Sequence, residues 1–368
     1  MFKIICQDKE TRARLGEITT AHGKILTPAF MPVGTIGSVK TLSSEELKEM
    51  DYQLILANAF HLYLKPGIEI IKKSGGLHRF MNWNGAILTD SGGYQVFSLK
   101  NTKVTEEGAD FHSSLDGSSH FFSPETSIKI QEILGADIIM AFDECLGYPT
   151  EYKKAEEAME RTARWAIRCK KTHKKNEQLL FGIIQGSIYK ELRKIAIEKL
   201  EKINFPGYGI GSLSVGEPEE MMLEVIDSLV PLMPENKPRY LMGLGKPEQI
   251  LEMIERGIDL FDSSFPTQIA RNGSCLTHQG KIIIRDSIFK DDLTPIDEDC
   301  DCPVCRNYTR AYLRHLFNVG ELLALRLASY HNLFFLNHLM KEARKAIREN
   351  RFASFYSLTK ELLTTKLL

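Results

Sequence analysis

Short apolar stretches recur along the chain, separated by longer segments with helical spacing. The short stretches are Pro28–Val33, Gln53–Ala57, Ala86–Thr89, Asp137–Phe142, Leu180–Ile184, Gly207–Gly211, Arg239–Met242 and Asp259–Phe261. Helical spacing marks Ser44–Met50, Ser123–Leu134, Lys153–Lys171, Tyr189–Ile203, Glu219–Leu232 and Pro247–Arg256. Ser123 suits a helix N-cap, Pro124 the first turn and Gly135 the position past the last apolar residue. Strands apolar nearly throughout belong to a parallel sheet buried on both faces. Eight strand-then-helix repeats predict an α/β fold, a closed (β/α)8 TIM barrel, with a doubly wound open sheet as the competing arrangement.

The residues that end these strands are polar or flexible: Asn58, Asp90, Asp143, Gln185, Ser212, Gly243 and Asp262. In a parallel barrel all such ends meet on one face, which is where catalysis sits. Three aspartates, an asparagine and a glutamine on one face predict a site for a polar, hydrogen-bond-rich ligand. No glycine pattern resembles a P-loop or a dinucleotide fingerprint.

The pattern changes after Asn272. An acidic, turn-like segment, Asp291–Glu298, precedes Cys300-Asp301-Cys302-Pro303-Val304-Cys305, and a helical region follows from about Asn307 to Asn350. The expected division is a barrel over 1–290, a metal-binding helical subdomain over 291–350, and a C-terminal helix over 351–368 packed on the barrel. The chain has seven cysteines, an odd number, and three fall within six residues. That favours one metal site over a disulfide framework. Three thiolates need a fourth ligand for a closed tetrahedral site, and His315, His331 and His338 are the downstream candidates. Such a site leaves no open position and supports folding, not chemistry.

Composition narrows the partners. A 43% hydrophobic and 26% charged chain is neither disordered nor a membrane bundle. Its first residues turn charged before a signal-peptide core forms, and no apolar run nears the roughly 20 residues of a membrane span. A cytoplasmic protein without membrane contact is expected. The net charge of −1 excludes a general basic coat, so any nucleic acid must bind a local patch.

Nine segments carry a resemblance: TPAFMPVGT (Thr27–Thr35), HLYLKPG (His61–Gly67), GGLHRFMNW (Gly75–Trp83), LTDSGGYQVFSL (Leu88–Leu99), SPE (Ser123–Glu125), MAFDEC (Met140–Cys145), LSVGEP (Leu213–Pro218), YLMGLGKPE (Tyr240–Glu248) and FD (Phe261-Asp262). In order and spacing, together with the CxCxxC cluster, they resemble the tRNA-guanine transglycosylases of bacterial type, the queuine tRNA-ribosyltransferase family. The similarity runs nearly end to end.

The resemblance implies a pentosyltransferase of queuosine biosynthesis. It would exchange guanine at the wobble position of tRNAs with GUN anticodons (Asp, Asn, His and Tyr) for 7-aminomethyl-7-deazaguanine (preQ1). Asp262 is then the nucleophile that holds the ribose as an ester, and Asp90 the general acid/base. Ser91, Gly92 and Gly93 line the base slot. Asp143 accepts from the donor edge of guanine, Gln185 and the Ser212 N–H donate to its carbonyl, and the Leu213 carbonyl and Glu217 face an aminomethyl group. Tyr94 and Met242 sandwich the ring. Two stretches meet the RNA: Gly243, Lys246 and Gln249, then Thr267, Gln268, Ile269, Ala270 and Arg271. Apart from the resemblance, Lys290, Arg306, Arg310 and Arg314 are candidates to extend that patch, against the competing reading of a solvated helix face. His331, in ASYHN, becomes the fourth ligand of one structural Zn2+, and the implied assembly is a homodimer.

Some positions depart from the family pattern. Ser212 stands where bacterial members usually carry glycine, Ala59-Phe60 replaces Thr-Tyr, and Gln268-Ile269 removes an arginine. Val215 fits a small aminomethyl base better than bulkier queuine, the alternative incoming base. A non-catalytic tRNA-binding partner subunit is the rival from another class, and the presence of both Asp90 and Asp262 argues against it.

Overall fold

The computed structural model describes residues 1–99 and 101–364. Strands β1 (Phe2–Gln7), β2 (Arg14–Thr20) and β3 (Gly23–Thr27) form an antiparallel sheet at the N-terminus. The barrel strands then begin with β4 (Ala29–Gly34), β5 (Leu54–Ala57) and β6 (Ala86–Thr89). A small antiparallel sheet of β7 (Lys103–Val104), β8 (Ala109–His112) and β9 (Ser119–Phe122) interrupts them. The barrel resumes with β10 (Ile138–Met140), β11 (Leu179–Ile184), β12 (Tyr208–Ile210), β13 (Arg239–Leu241) and β14 (Leu260–Ser263). Each barrel strand pairs in parallel with the next, and β14 closes on β4, with Phe261 opposite Phe30. The eight expected strands are all present, and the closed barrel replaces the open sheet. A hairpin of β15 (Ser274–Thr277) and β16 (Gly280–Ile283) follows.

Side chains along a strand alternate between faces. Leu54 and Leu56, Ala86 and Leu88, Ile138 and Met140, and Phe181 and Ile183 join Met31, Tyr240 and Leu260 in one buried cluster, the barrel interior. Ile55, Ile87, Ile139 and Leu180 belong to the other cluster, shared with the helices. Counting on in steps of two from the interior residues reaches Asn58, Asp90, Gln185, Met242 and Asp262. The period that fills the barrel therefore also aims these groups inward at its C-terminal mouth. Ile18 and Ile25 of the β2–β3 hairpin join the interior cluster and plug the opposite end.

The helical region after the cysteines is not one run. Gly320, at φ +77°, ends the helix Arg310–Val319, and Leu322–Arg348 starts afresh. The latter helix is docked on the barrel. Asn332 Nδ2 donates to the Pro266 carbonyl, Asn337 to Met50 and Arg344 to Pro28, while Tyr52 donates to Leu333. The helix directly after β14, Phe265–Arg271, is short, and Leu322–Arg348 packs on it and on β4. A last helix, Phe352–Thr364, lies against Pro247–Glu255, with Lys360 paired to Glu252. The end of the expected C-terminal helix, 365–368, falls outside the described residues.

Candidate active site

A cavity of about 370 Å³ opens at the C-terminal ends of the barrel strands. Asn58, Asp90, Ser91, Gly93, Tyr94, Asp143, Ser212, Leu213, Met242, Gly243 and Asp262 line it. Gly92, Gln185 and Glu217 stand behind this wall.

Asp262 follows two apolar residues of β14. Its Oδ1 accepts from the Tyr240 hydroxyl at 2.6 Å and from the Gly243 N–H at 2.8 Å. Its other oxygen accepts nothing among the described residues. Burial pushes the carboxyl above its ordinary range, and the two donors oppose that. Asp90 accepts from the Ala59 N–H at 2.8 Å and from Asn58 Nδ2 at 2.5 Å. Ala59 opens the helix Ala59–Leu64, so that N–H is one of the free donors of a first turn. Burial pushes Asp90 up to about 6, and the negative charge of Asp262 adds to the rise. Asp143 is likewise pushed up to about 6 by burial. Ser91 Oγ donates to it at 2.9 Å and Gln185 Nε2 at 2.6 Å. Gly93 is required here: a Cβ would lie 2.6 Å from both the Asp143 carbonyl and Oδ1.

Three of the expected site groups are held by protein partners. The Gln185 amide donates to Asp143 and so orients that carboxylate. Glu217 turns both oxygens to backbone, accepting from the Ser214 and Val215 N–H groups, and holds the loop. Thr267 and Ala270 are buried, so of that stretch only Gln268 is fully exposed, with Ile269 and Arg271 half-buried. Gly243 and Lys246 are exposed, whereas Gln249 donates to Glu219. In the extended patch Arg310 binds inward to Asp292 and the Ile296 carbonyl, and Arg306 pairs with Asp301. Arg314 donates to the Asp286 carbonyl, and Lys290 is exposed.

Ser212 is buried at φ +47°, and its Oγ accepts from the Leu146 N–H at 2.9 Å. The hydroxyl thus ties two walls of the cavity together without filling it. The Ser212 N–H faces the Cys145 thiol, and the Leu213 carbonyl has no protein partner among the described residues. Tyr94 is exposed at the mouth, and Met242 lines the cavity. Tyr240, His61, Gln95 and Cys145 also line it and were not singled out beforehand. Tyr240 left a signal: a tyrosine in a buried barrel strand needs a partner for its hydroxyl.

The metal cluster is separate. Cys300, Cys302 and Cys305 Sγ lie 3.8, 3.5 and 3.4 Å from His331 Nδ1. A tetrahedral ion with sulfur at about 2.3 Å and nitrogen at about 2.0 Å spaces those ligands by about 3.6 Å. His331 Nε2 donates to the Leu276 carbonyl at 2.6 Å, which leaves Nδ1 unprotonated for a metal. Of the three histidines left open by spacing, only His331 joins the group.

No helix among the described residues is long and apolar enough to cross a membrane. The family described as queuine tRNA-ribosyltransferase matches residues 8–362. A queuine tRNA-ribosyltransferase of Desulforamulus reducens is 55% identical over 355 residues, 96% of each chain. Those of Ruminiclostridium cellulolyticum and Halothermothrix orenii are 57% and 56% identical, covering 96% of this chain and 95% of theirs. With nearly its whole length matched and a polar cavity at the barrel mouth, the chain belongs to the queuine tRNA-ribosyltransferase family.

Proposed function

We propose that the chain is an active tRNA-guanine transglycosylase that replaces guanine at the wobble position with preQ1 by double displacement. The observation that carries this reading is the Asp262 carboxylate. One oxygen is fixed by two donors, the other is free, and Asp90 lines the same cavity.

A base in a single-stranded anticodon loop can be splayed into such a cavity. There Asp143 would accept from N1–H and the exocyclic amine, and the Ser212 N–H would donate to the carbonyl oxygen. Asp262 Oδ2 then attacks C1′. The bond from C1′ to the base nitrogen breaks, its electron pair leaves with guanine, and Asp90 supplies the proton. In the second half Asp90 takes the proton from the ring nitrogen of the incoming base. That nitrogen attacks C1′ and the ester to Asp262 breaks. Two inversions give net retention, as in retaining glycosidases. A pKa of about 6 suits a group that must give and take one proton near neutrality.

Val215 lines the cavity beside Leu213, whose free carbonyl suits an aminomethyl group; this supports preQ1 over queuine. The fuller proposal includes Zn2+ in the cluster, supplying only fold support, a homodimer, a cytoplasmic setting, and a division into barrel, metal subdomain and C-terminal helix. Lys246, Gln268 and Arg271 are the side chains best placed to meet RNA.

The test is trapping. The protein is mixed with tRNA and run on a denaturing gel, with Asp262→Ala and a surface substitution alongside. A covalent adduct in all but Asp262→Ala supports the reading, and an unchanged adduct in Asp262→Ala overturns it. Exchange kinetics with preQ1 and queuine decide the incoming base, and a preference for queuine overturns that part.

A further inference from the structure

Arg193 is fully buried, yet no carboxylate pairs with it among the described residues. It projects from the helix Lys190–Ile203 toward the loops after β11 and β12. Its partners are four carbonyls. Nη1 donates to Ile184 at 2.8 Å and Nε to Ser187 at 2.9 Å. Nη2 donates to Gly211 at 2.8 Å and Ser212 at 3.3 Å. Burial lowers its pKa to about 9, so it remains charged at neutral pH. An unpaired buried cation is costly, and a fold retains one where something offsets the cost.

The Gly211 carbonyl and the Ser212 N–H belong to the same peptide group. A charged donor on that carbonyl draws electrons from the amide and strengthens the N–H as a donor, because hydrogen bonds in a chain polarise one another. The Ser212 N–H borders the cavity, where its neighbour in the protein is the Cys145 thiol, a weak acceptor that a base carbonyl can displace. We infer that Arg193 is a positioning residue for base exchange: through the Gly211–Ser212 peptide it presents a charge-strengthened N–H to the carbonyl oxygen of the base. The inference rests on the proposed base reading, in which that oxygen meets Ser212. When guanine departs with the electron pair of the glycosidic bond, negative charge spreads onto its carbonyl oxygen. A preorganised donor there stabilises the transition state more than the bound base.

The test compares guanine with 6-thioguanine, which keeps the N1–H and the amine but replaces the oxygen with sulfur, a weak acceptor. Exchange into tRNA is measured for the parent, Arg193→Lys and Arg193→Gln, with melting curves to show that each is folded. The parent should prefer guanine, and each folded variant should narrow the preference about tenfold, mostly in kcat. A loss of packing alone would slow both bases equally. A parent with no preference sinks the base reading itself. A parent preference fully kept in a folded variant sinks only the role of Arg193. A measurement on the parent covers variants that do not fold. The infrared carbonyl stretch of isotope-labelled guanine should fall on binding, and an unmoved band overturns the inference.

Discussion

The Tyr240 hydroxyl sits 2.6 Å from Asp262 Oδ1, on the oxygen that also takes the Gly243 N–H. Asp262 therefore has one rotational setting, with its second oxygen left for the substrate. Tyr240→Phe removes one of the two restraints. The expected result is a kcat about tenfold lower with little change in KM, since the lost term is orientation. Asp262→Asn removes the proposed nucleophile and should eliminate the adduct altogether. Single-turnover kinetics with labelled guanine separate the two, and a Tyr240→Phe enzyme with parental kcat would show that the hydroxyl restraint is dispensable.

Asp90 and Asp143 are both pushed up to about 6 by burial. Below that pH Asp143 is protonated and can no longer accept from two donors of the base, and Asp90 can no longer take a proton. Exchange should fall on the acid side more steeply than one titration allows. In Asp143→Asn the remaining limb should have the slope of a single group. The stability sign is the opposite. Unfolded aspartates titrate near about 3.9, so between about 4 and 6 the folded state holds more protons and gains stability as pH falls. Asp90→Asn should melt higher than the parent at pH 7.5, with the gap closing toward pH 5. Melting curves at the two pH values check this.

The barrel and the Asp90–Asp262 pair are legible in the sequence because one period governs both. Alternation fills the interior with Leu56, Leu88 and Leu260, and the next step of two lands on Asn58, Asp90 and Asp262. Asp143 breaks the step, since β10 ends at Met140 and the chain turns before it. What was hidden depends on partners distant in sequence. That the Gln185 amide donates to Asp143 could not be read from residues 42 positions apart. Thr267 and Ala270 look exposed until the helix Leu322–Arg348 packs over them. The β7–β9 sheet was missed because its strands are two to four residues long and lack the continuous apolar run that marks the barrel strands.

The cysteine cluster predicts a metal-dependent fold. Cys302 is buried at the start of the helix Pro303–Asn307, and the cluster ties it to His331 on the helix Leu322–Arg348, which packs on β4. Removing the ion with a chelator should lower the melting temperature and expose 291–348 to limited proteolysis. Activity should be lost in step with structure, and re-addition of zinc should restore both. Metal content by atomic emission, followed against helical signal, checks this. A chelated protein with unchanged melting and proteolysis would rule out a structural metal.

At the other end of the barrel Asp137 acts as a clasp. It is fully buried at its side chain, and each oxygen has two donors. Oδ1 accepts from the His22 N–H at 3.1 Å and lies 2.9 Å from His22 Nδ1. Oδ2 accepts from the Ile87 N–H at 2.9 Å and lies 3.2 Å from His78 Nε2. The two imidazoles stack with centroids 3.6 Å apart. One carboxylate thus joins the β2–β3 turn, the helix Leu77–Met81 and strand β6. Burial alone would raise its pKa, but the donors from His78, Ile87 and His22 outweigh it and hold it below the ordinary 3.8. A depressed value contributes stability above the unfolded pKa and loses it as pH falls through the folded one. Asp137→Asn replaces one acceptor with a donor that faces other donors, and should cost about 3 kcal/mol at pH 7. As pH falls below the ordinary carboxylate range the parent clasp is itself protonated, so the difference should shrink. Exchange by the folded variant should match the parent, because the site lies at the opposite mouth. Urea melts at pH 7 and along an acid series decide it: a loss that stays equal however far the pH is lowered would mean that packing, not the carboxylate charge, holds the clasp.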